Sequence, residues 1–143
     1  HRLELVREWR GVRWYNDSIA TAPERTIAGV HAFNEPLVLL LGGRDKKLPW
    51  DTLAAIVHQS VDHVILFGEA AEMIDKVFGA PAAGGRPYTQ TRCATLEEAV
   101  AEAARVAQSG DVVLLSPGGT SFDEFADFDE RGEAYRTWVN KLA

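Results

Sequence analysis

Two short, uninterrupted runs of aliphatic residues decide most about what this chain can fold into. Residues 37–41 read LVLLL and residues 112–115 read VVLL, and each run leads into a glycine pair, Gly42-Gly43 or Gly118-Gly119. A strand that is apolar at every position is buried on both faces, which is typical of parallel sheets covered by helices on both sides. The glycines allow a sharp turn and a close approach of the backbone to a ligand. The pattern therefore predicts an α/β fold with a ligand-binding loop after a central strand.

The segments around these runs alternate between the patterns of strands and helices. Residues 3–9 alternate apolar and polar side chains and are followed by a turn at Arg10-Gly11, which predicts an edge hairpin with a second strand. The strands are predicted over residues 3–9, 12–16, 37–41, 63–67, 88–92 and 112–115, and the helices over residues 23–34, 52–59, 70–78, 95–108 and 129–142. Residues 79–87 are predicted to form a mobile surface loop. We expect a Rossmann-like, three-layer αβα domain with a mostly parallel sheet, spanning residues 1–143.

The loop after the second apolar run carries the strongest local signal for ligand binding. Pro117 is expected to end the strand, because proline cannot donate to a ladder. Ser121 is predicted to cap a helix that begins there, with Asp123 and Glu124 in its first turn. A helix N-terminus that follows a strand is suited to binding an anion.

Composition narrows the classes of function. The net charge of −6 argues against a general nucleic-acid surface but leaves room for a local basic pocket. Cys93 is the single cysteine, so no internal disulfide can form, and no apolar run approaches the ~20 residues of a membrane span. His31, His58 and His63 lack the spacing of metal ligands. We expect a monomeric, cytoplasmic protein with no metal site and no nucleic-acid or membrane partner.

Four segments, in order, resemble the carboxyl-terminal domain of the Mur ligases, the ATP-dependent enzymes that add amino acids to the cell-wall precursor. The segments are HRLE (residues 1–4), WYNDSIAT (14–21), LLLGGRDK (39–46) and LLSPGGTSFDEFADFDERG (114–132). Each motif alone is weak, but four in the same order and spacing are specific, and they span nearly the whole chain. Among these ligases, the sequence is most similar to those that add D-glutamate.

The resemblance implies a D-glutamate site. Lys46 would hold a carboxylate of the amino acid as a point charge, and Thr21 would lie near the same molecule. Ser121 and the backbone beside Phe122 would contact its side-chain carboxylate, and Phe128 would border it. Taken without the resemblance, Lys46 is a solvated surface lysine, Ser121 is a helix cap and Phe128 is a core aromatic residue.

The resemblance also implies a nucleotide site made by Arg2, Asp17 and Thr21. The guanidinium of Arg2 would pack on the nucleotide, and Asp17 would reach a ribose hydroxyl or merely order its turn. One position departs from the family, because Ile19 stands where a lysine usually approaches the phosphates. Either another cation such as Arg25 substitutes, or a further domain handles the phosphates.

The chain contains no G-x-x-x-x-G-K-[ST] motif, which is the loop that cradles ATP phosphates and Mg²⁺. In the Mur ligases this loop belongs to a central domain, and the UDP-sugar binds an N-terminal domain. We therefore expect this chain, which opens without Met, to be part of a longer protein and to have no catalytic residue or ligase activity by itself. The implied partners of the whole protein are D-glutamate, UDP-MurNAc-L-alanine, ATP with Mg²⁺, and the central domain.

Other functions remain open at this stage. One alternative is the corresponding domain of another Mur ligase or of a folylpolyglutamate synthase, which differ in the loops after the strands. Another is a non-catalytic module that binds a nucleotide or an amino acid. A third is an interaction domain, which predicts no ligand at the carboxyl ends of the strands.

Overall fold

Strands and helices alternate along the chain, as the apolar pattern predicts. The computed structural model describes residues 1–80 and 87–143. Within them, the strands are β1 (Glu4–Trp9), β2 (Val12–Asn16), β3 (Leu37–Gly42), β4 (Val61–Phe67), β5 (Thr89–Arg92) and β6 (Val112–Gly118). The helices are α1 (Pro23–His31), α2 (Asp51–Ser60), α3 (Ala71–Phe78), α4 (Leu96–Val106) and α5 (Phe128–Asn140).

These strands form one sheet in the order β1-β2-β6-β3-β4-β5. Among them, only β1 and β2 pair in antiparallel fashion, and the turn between them uses Arg10 and Gly11 at φ values of 55° and 77°, as a tight hairpin requires. Strand β6 lies in the middle, where Leu114 pairs with Tyr15 on one side and with Leu39 on the other. The predicted edge hairpin and mostly parallel sheet are confirmed.

Two apolar layers cover the faces of the sheet. In β3, Leu37, Leu39 and Leu41 pack against α1, α2 and α3, whereas Val38 and Leu40 belong to the layer under α4 and α5. All five side chains are buried. The side chains of residues 112–115 are divided between the same two layers. Both aliphatic runs are therefore buried on both faces, and each fully buried leucine contributes on the order of 2 kcal/mol through the hydrophobic effect.

The connections diverge around β6. After β2 and β3 the chain enters α1 and α2 on one face of the sheet, whereas after β6 it enters α5 on the opposite face. Loops that leave neighbouring strands in opposite directions open a crevice at the carboxyl edge, which is where open α/β sheets bind their ligands.

The prediction that Pro117 ends the last strand is wrong. Strand β6 continues to Gly118, and its register against β3 shifts between the pairs Leu40–Leu115 and Gly42–Gly118. This shift places Pro117 in a bulge, beyond the last residue that pairs with β2. A bulge tolerates proline because the regular ladder is interrupted there.

Smaller differences concern boundaries. Helix α1 ends at His31 rather than near residue 34, and α4 ends at Val106 rather than near residue 108. Most of the loop predicted over residues 79–87 lies outside the described residues, since 81–86 are not among them. In the described ranges, no helix has the length and apolar character that crossing a bilayer requires.

Candidate functional site

Three loops meet at the carboxyl ends of the central strands. They are residues 17–22 after β2, 43–50 after β3 and 119–127 after β6. Arg44 and Thr120 exchange two backbone hydrogen bonds, of 2.9 and 2.8 Å, which join the second loop to the third. The amide of Gly118 donates to the carbonyl of Ala20 at 2.9 Å, which ties β6 to the first loop.

Two of the seven predicted site residues reach this edge from outside the loops. Phe128 begins α5 directly after the third loop. Arg2 precedes β1, and because β1 is antiparallel its start lies at the same edge, with Glu4 opposite Asn16. The flanking backbone is anchored, since Ile19 N donates to His1 O and Leu3 N donates to Asp17 Oδ1, both at 3.2 Å.

Lys46 reaches across the crevice to Thr21. Its Nζ donates a hydrogen bond to Thr21 Oγ1 at 3.1 Å. In the part of the chain that the structure describes, no carboxylate forms an ion pair with this ammonium. An ammonium has three donors and this one has a neutral partner, so it is available to an anionic ligand.

A groove of about 460 Å³ lies beside this contact. Four predicted site residues line it, namely Arg2, Thr21, Lys46 and Phe128. The fold thus brings together three of the five residues that the sequence assigned to D-glutamate and two of the three assigned to a nucleotide.

Asp17 belongs to a second, smaller groove of about 220 Å³. Its carboxylate is 5% exposed and accepts hydrogen bonds from Leu3 N (3.2 Å) and Ser116 Oγ (2.7 Å). Burial raises the pKa of Asp17, although the bond from Ser116 acts in the opposite direction. Asp17 therefore orders the turn and also lines a cleft. The two grooves share Arg2, Ile19 and Arg25.

The helix predicted to begin at Ser121 is absent, and this prediction is wrong. The carbonyl of Ser121 accepts from the amide of Glu124 at 3.2 Å, which closes a single turn. The carboxylates expected in a first helical turn have other partners. Asp123 accepts from the amide of Glu69 (3.0 Å), in the loop after β4, and Glu124 accepts from the amide of Leu96 (3.3 Å), the first residue of α4.

Helix α5 begins seven residues later, at Phe128, and its N-cap is Asp127, whose carboxylate accepts from Glu130 N at 2.8 Å. Ser121 therefore does not lie at the N-terminus of a helix. Ser121 is 2% exposed and Phe122 is 60% exposed. Neither residue is among the described residues that line the groove beside Lys46.

Sequence reasoning missed Arg131, which is 1% exposed. Its guanidinium donates to Ser18 Oγ (3.0 Å), Ser18 O (2.8 Å) and Gly119 O (3.1 Å), and so it joins the loops after β2 and β6. Burial lowers the pKa of Arg131 to about 10, against the opposing effect of Asp123 and Glu124. The sequence did contain a pattern that indicates burial of this arginine, because Arg131 precedes the buried Tyr135 by four residues and so lies on the same face of the helix.

No group of three His, Cys, Asp or Glu side chains that could hold a metal ion occurs within residues 1–80 and 87–143. Two acidic side chains on loops at the carboxyl edge of the sheet have partners within the chain. Asp45 accepts from Trp50 Nε1 at 3.0 Å, and Glu69 pairs with Arg44 at 2.9 Å.

Comparison with known sequences decides the family. The family described as "Mur ligase, glutamate ligase domain" matches residues 1–119. This chain belongs to the Mur ligase family. Ser121, Phe122 and Phe128 lie beyond the matched segment, but similarity to individual Mur ligases extends over them.

Two relatives illustrate this similarity. A protein of Acetivibrio thermocellus named UDP-N-acetylmuramoylalanine–D-glutamate ligase is 45% identical over 145 residues, which cover 99% of this chain and 31% of the relative. A protein of Symbiobacterium thermophilum with the same name is 42% identical over 143 residues, which cover 100% of this chain and 31% of that protein. The chain thus spans about a third of the length of these relatives.

Solved Mur ligase structures share the fold. A structure of UDP-N-acetylmuramoyl-L-alanyl-D-glutamate–2,6-diaminopimelate ligase superposes with a TM-score of 0.61 at 20% identity, covering 99% of this chain and 32% of that chain. A crystallised domain of a ligase from Haemophilus ducreyi superposes with a TM-score of 0.59 at 19% identity, covering 95% of this chain and 98% of that domain. These likenesses confirm the α/β fold class.

Proposed function

We propose that this chain is the amino-acid-docking domain of an ATP-dependent ligase that joins D-glutamate to UDP-MurNAc-L-alanine in peptidoglycan precursor synthesis. The names of the relatives, at 45% and 42% identity across the chain, support the substrate class. The observation in the structure that carries the proposal is the contact between Lys46 and Thr21 beside a groove at the carboxyl edge of the sheet.

In this proposal, Lys46 binds a carboxylate of D-glutamate. Its ammonium has a neutral neighbour and is exposed, so an incoming carboxylate does not have to displace an acidic side chain. Thr21 orients the ammonium from one side, and Phe128 borders the amino acid in the same groove. Ser121 and the backbone beside Phe122 lie on the loop after β6, outside the lining of this groove, and in this proposal they contact the side-chain carboxylate of the amino acid.

The nucleotide occupies the neighbouring groove. Arg2 packs its planar guanidinium on the base, and Asp17 accepts a hydrogen bond from a ribose hydroxyl. Thr21 lies between the two ligands. Other parts of a longer protein hold most of the phosphate chain and Mg²⁺, since this sequence contains no P-loop motif.

The proposed reaction forms an amide in two steps. ATP phosphorylates the terminal carboxylate of UDP-MurNAc-L-alanine, and the amine of D-glutamate then attacks the acyl phosphate and releases phosphate. In this chain Lys46, Thr21 and Ser121 act by orienting the nucleophile, not as bases or covalent nucleophiles. Holding two reactants in the correct geometry accounts for a large part of the acceleration in such transfers.

Titration of the isotopically labelled chain with D-glutamate, followed by NMR, tests the docking role. We expect shifts at Thr21 and Lys46 with a dissociation constant on the order of 1 mM, because a small amino acid makes few contacts. L-glutamate is expected to shift these signals less. Lys46→Ala should weaken binding at least about tenfold, whereas Lys47→Ala, which removes the same charge one residue away, should leave binding unchanged.

Two results would contradict the proposal. One is the absence of any shift at Lys46 and Thr21 with D-glutamate well above the expected dissociation constant. The other is an equal loss of binding in Lys46→Ala and Lys47→Ala, which would mean that general charge rather than the Lys46 site attracts the anion.

A further inference from the structure

The groove beside Lys46 is basic in an acidic protein. The chain carries a net charge of −6, yet among the described residues the lining of this groove includes Arg2, Arg25 and Lys46 and one acidic residue, Glu24. A cleft lined mainly by one sign of charge concentrates ligands of the opposite sign. A single carboxylate on Lys46 leaves both guanidinium groups without a bound anion, so the lining is suited to a ligand with more negative charge than an amino acid.

Arg25 stands at the junction of the two grooves. It lines the groove that contains Lys46 and Thr21, and it also lines the groove that contains Asp17. Its side chain is exposed, and within the described residues it forms no ion pair with an acidic side chain. Its guanidinium is therefore available to a ligand that extends from one groove into the other.

The backbone around Arg25 also favours a ligand with several negative charges. Arg25 is the third residue of α1, within the turn where the helix dipole is positive. Ala22, the N-cap, offers no side-chain acceptor to the first amides of this helix. Ile19, which lines both grooves together with Arg2 and Arg25, adds apolar surface and no charge.

We propose that Arg25 is a phosphate-binding residue, which binds the part of the nucleotide's phosphate chain that lies where the two grooves join. This inference rests on the proposed function, because it takes Asp17 as the ribose contact and Lys46 as the amino-acid contact. The phosphate chain of a nucleotide connects its ribose to the reacting groups, and Arg25 lines both the groove that contains Asp17 and the groove that contains Lys46. A planar guanidinium binds phosphate oxygens in pairs. The acidic neighbour in the groove, Glu24, weakens the attraction but leaves the guanidinium available.

The test titrates the labelled chain separately with inorganic tripolyphosphate, ATP and adenosine. Arg25→Gln should weaken the binding of tripolyphosphate and ATP at least about fivefold, because charge-assisted hydrogen bonds to phosphate are lost. Binding of adenosine should not change. Arg25→Lys, which retains the charge but not the planar fork, should bind ATP with intermediate affinity. Arg105→Gln, the same change of charge on an exposed side chain of α4, is the control and should bind ATP as the unsubstituted chain does.

Titration of Arg25→Gln with D-glutamate separates this inference from the proposed function. Suppose that D-glutamate binds normally. If ATP and tripolyphosphate then have the same affinity for Arg25→Gln as for the unsubstituted chain, or bind to neither, the assignment of Arg25 is overturned and the docking function stands. If D-glutamate binds neither chain while the loss of phosphate binding is observed, the docking function fails and the phosphate site stands.

Discussion

Arg131 places a buried positive charge under the candidate site, and its hydrogen bonds within the described residues go to neutral groups. The three acceptors are Ser18 Oγ, Ser18 O and Gly119 O. Burying a charge is costly unless its hydrogen bonds are made, and here they connect the loops after β2 and β6. At the scale of single residues, the position of these two loops depends on the fork geometry of one guanidinium.

The first prediction concerns this fork. Arg131→Lys keeps the charge but cannot reach the three acceptors, so it should lower the free energy of unfolding by about 2–4 kcal/mol. Arg136→Lys, at a half-exposed position of the same helix that pairs with Glu4 and Glu133, should change it by no more than about 1 kcal/mol. Urea unfolding of both variants measures the difference. Equal effects would show that the acceptors of Arg131 do not stabilise the fold.

A second prediction at this scale follows from Glu124. Burial raises the pKa of this carboxyl above its ordinary value of 4.5, although the bond from Leu96 N acts against the shift. The folded chain therefore binds the proton more tightly than the unfolded chain, and this contribution to stability is lost as the pH rises through and above 4.5. The Glu124→Gln variant has no carboxyl at this position, so its stability does not contain this pH-dependent contribution.

We therefore expect the free energy of unfolding of Glu124→Gln, relative to the unsubstituted chain, to rise between about pH 3.5 and about pH 7. Chemical unfolding at both pH values measures the change. A relative stability that is constant or falls with pH would contradict it.

At the scale of elements, the loop after β3 shows how backbone geometry holds the site. Gly43 has a φ of 96°, and a Cβ built on it would lie 2.2 Å from the carbonyl oxygen of Thr120. The two loops can exchange hydrogen bonds between Arg44 and Thr120 because this position has no side chain. Lys46 is carried by the same loop, so its reach towards Thr21 depends on this close approach.

The third prediction compares two glycines of nearly equal φ. Gly110 has a φ of 98°, but a Cβ placed on it would have no atom of the described residues within 4 Å, so Gly110→Ala costs only the backbone strain, about 1–2 kcal/mol. Gly43→Ala adds a collision with backbone and should destabilise the chain by at least about 2 kcal/mol more. Unfolding experiments measure both values. Similar losses of unfolding free energy for the two substitutions would contradict the prediction, because they would mean that the loops after β3 and β6 can separate without loss of stability.

At the scale of the whole molecule, the divergent connections around β6 create the crevice, and the three loops supply its polar side chains. The chain spans 31% of the relatives it matches, and its sequence contains no P-loop motif. Amino-acid docking and phosphate activation are therefore separate tasks in the proposed reaction.

The fourth prediction follows from this separation. The chain by itself should form no amide from D-glutamate, ATP and UDP-MurNAc-L-alanine, because nothing in its sequence cradles the phosphates and Mg²⁺ in the P-loop manner. Phosphate release and product formation measure the activity. ATP-dependent amide formation by the purified chain would overturn the prediction.

The sequence by itself determined the α/β class, the edge hairpin and the edge of the sheet at which the grooves lined by the candidate residues lie. It could do so because apolar periodicity reports which strands are buried on both faces, and because parallel strands all end at the same edge. The motifs also placed Lys46 and Thr21 on loops at that edge.

Only the tertiary structure decided which segments meet. It placed β6 between β2 and β3, brought Lys46 to Thr21 across 25 residues of sequence, and buried Arg131 beneath two loops. It also gave Asp123 and Glu124 backbone partners far away in sequence, at Glu69 and at Leu96, and the helix expected at Ser121 did not form. Local patterns describe how each segment buries its own surface, but the partners of a loop carboxylate or a buried guanidinium depend on strand order, which no local pattern contains.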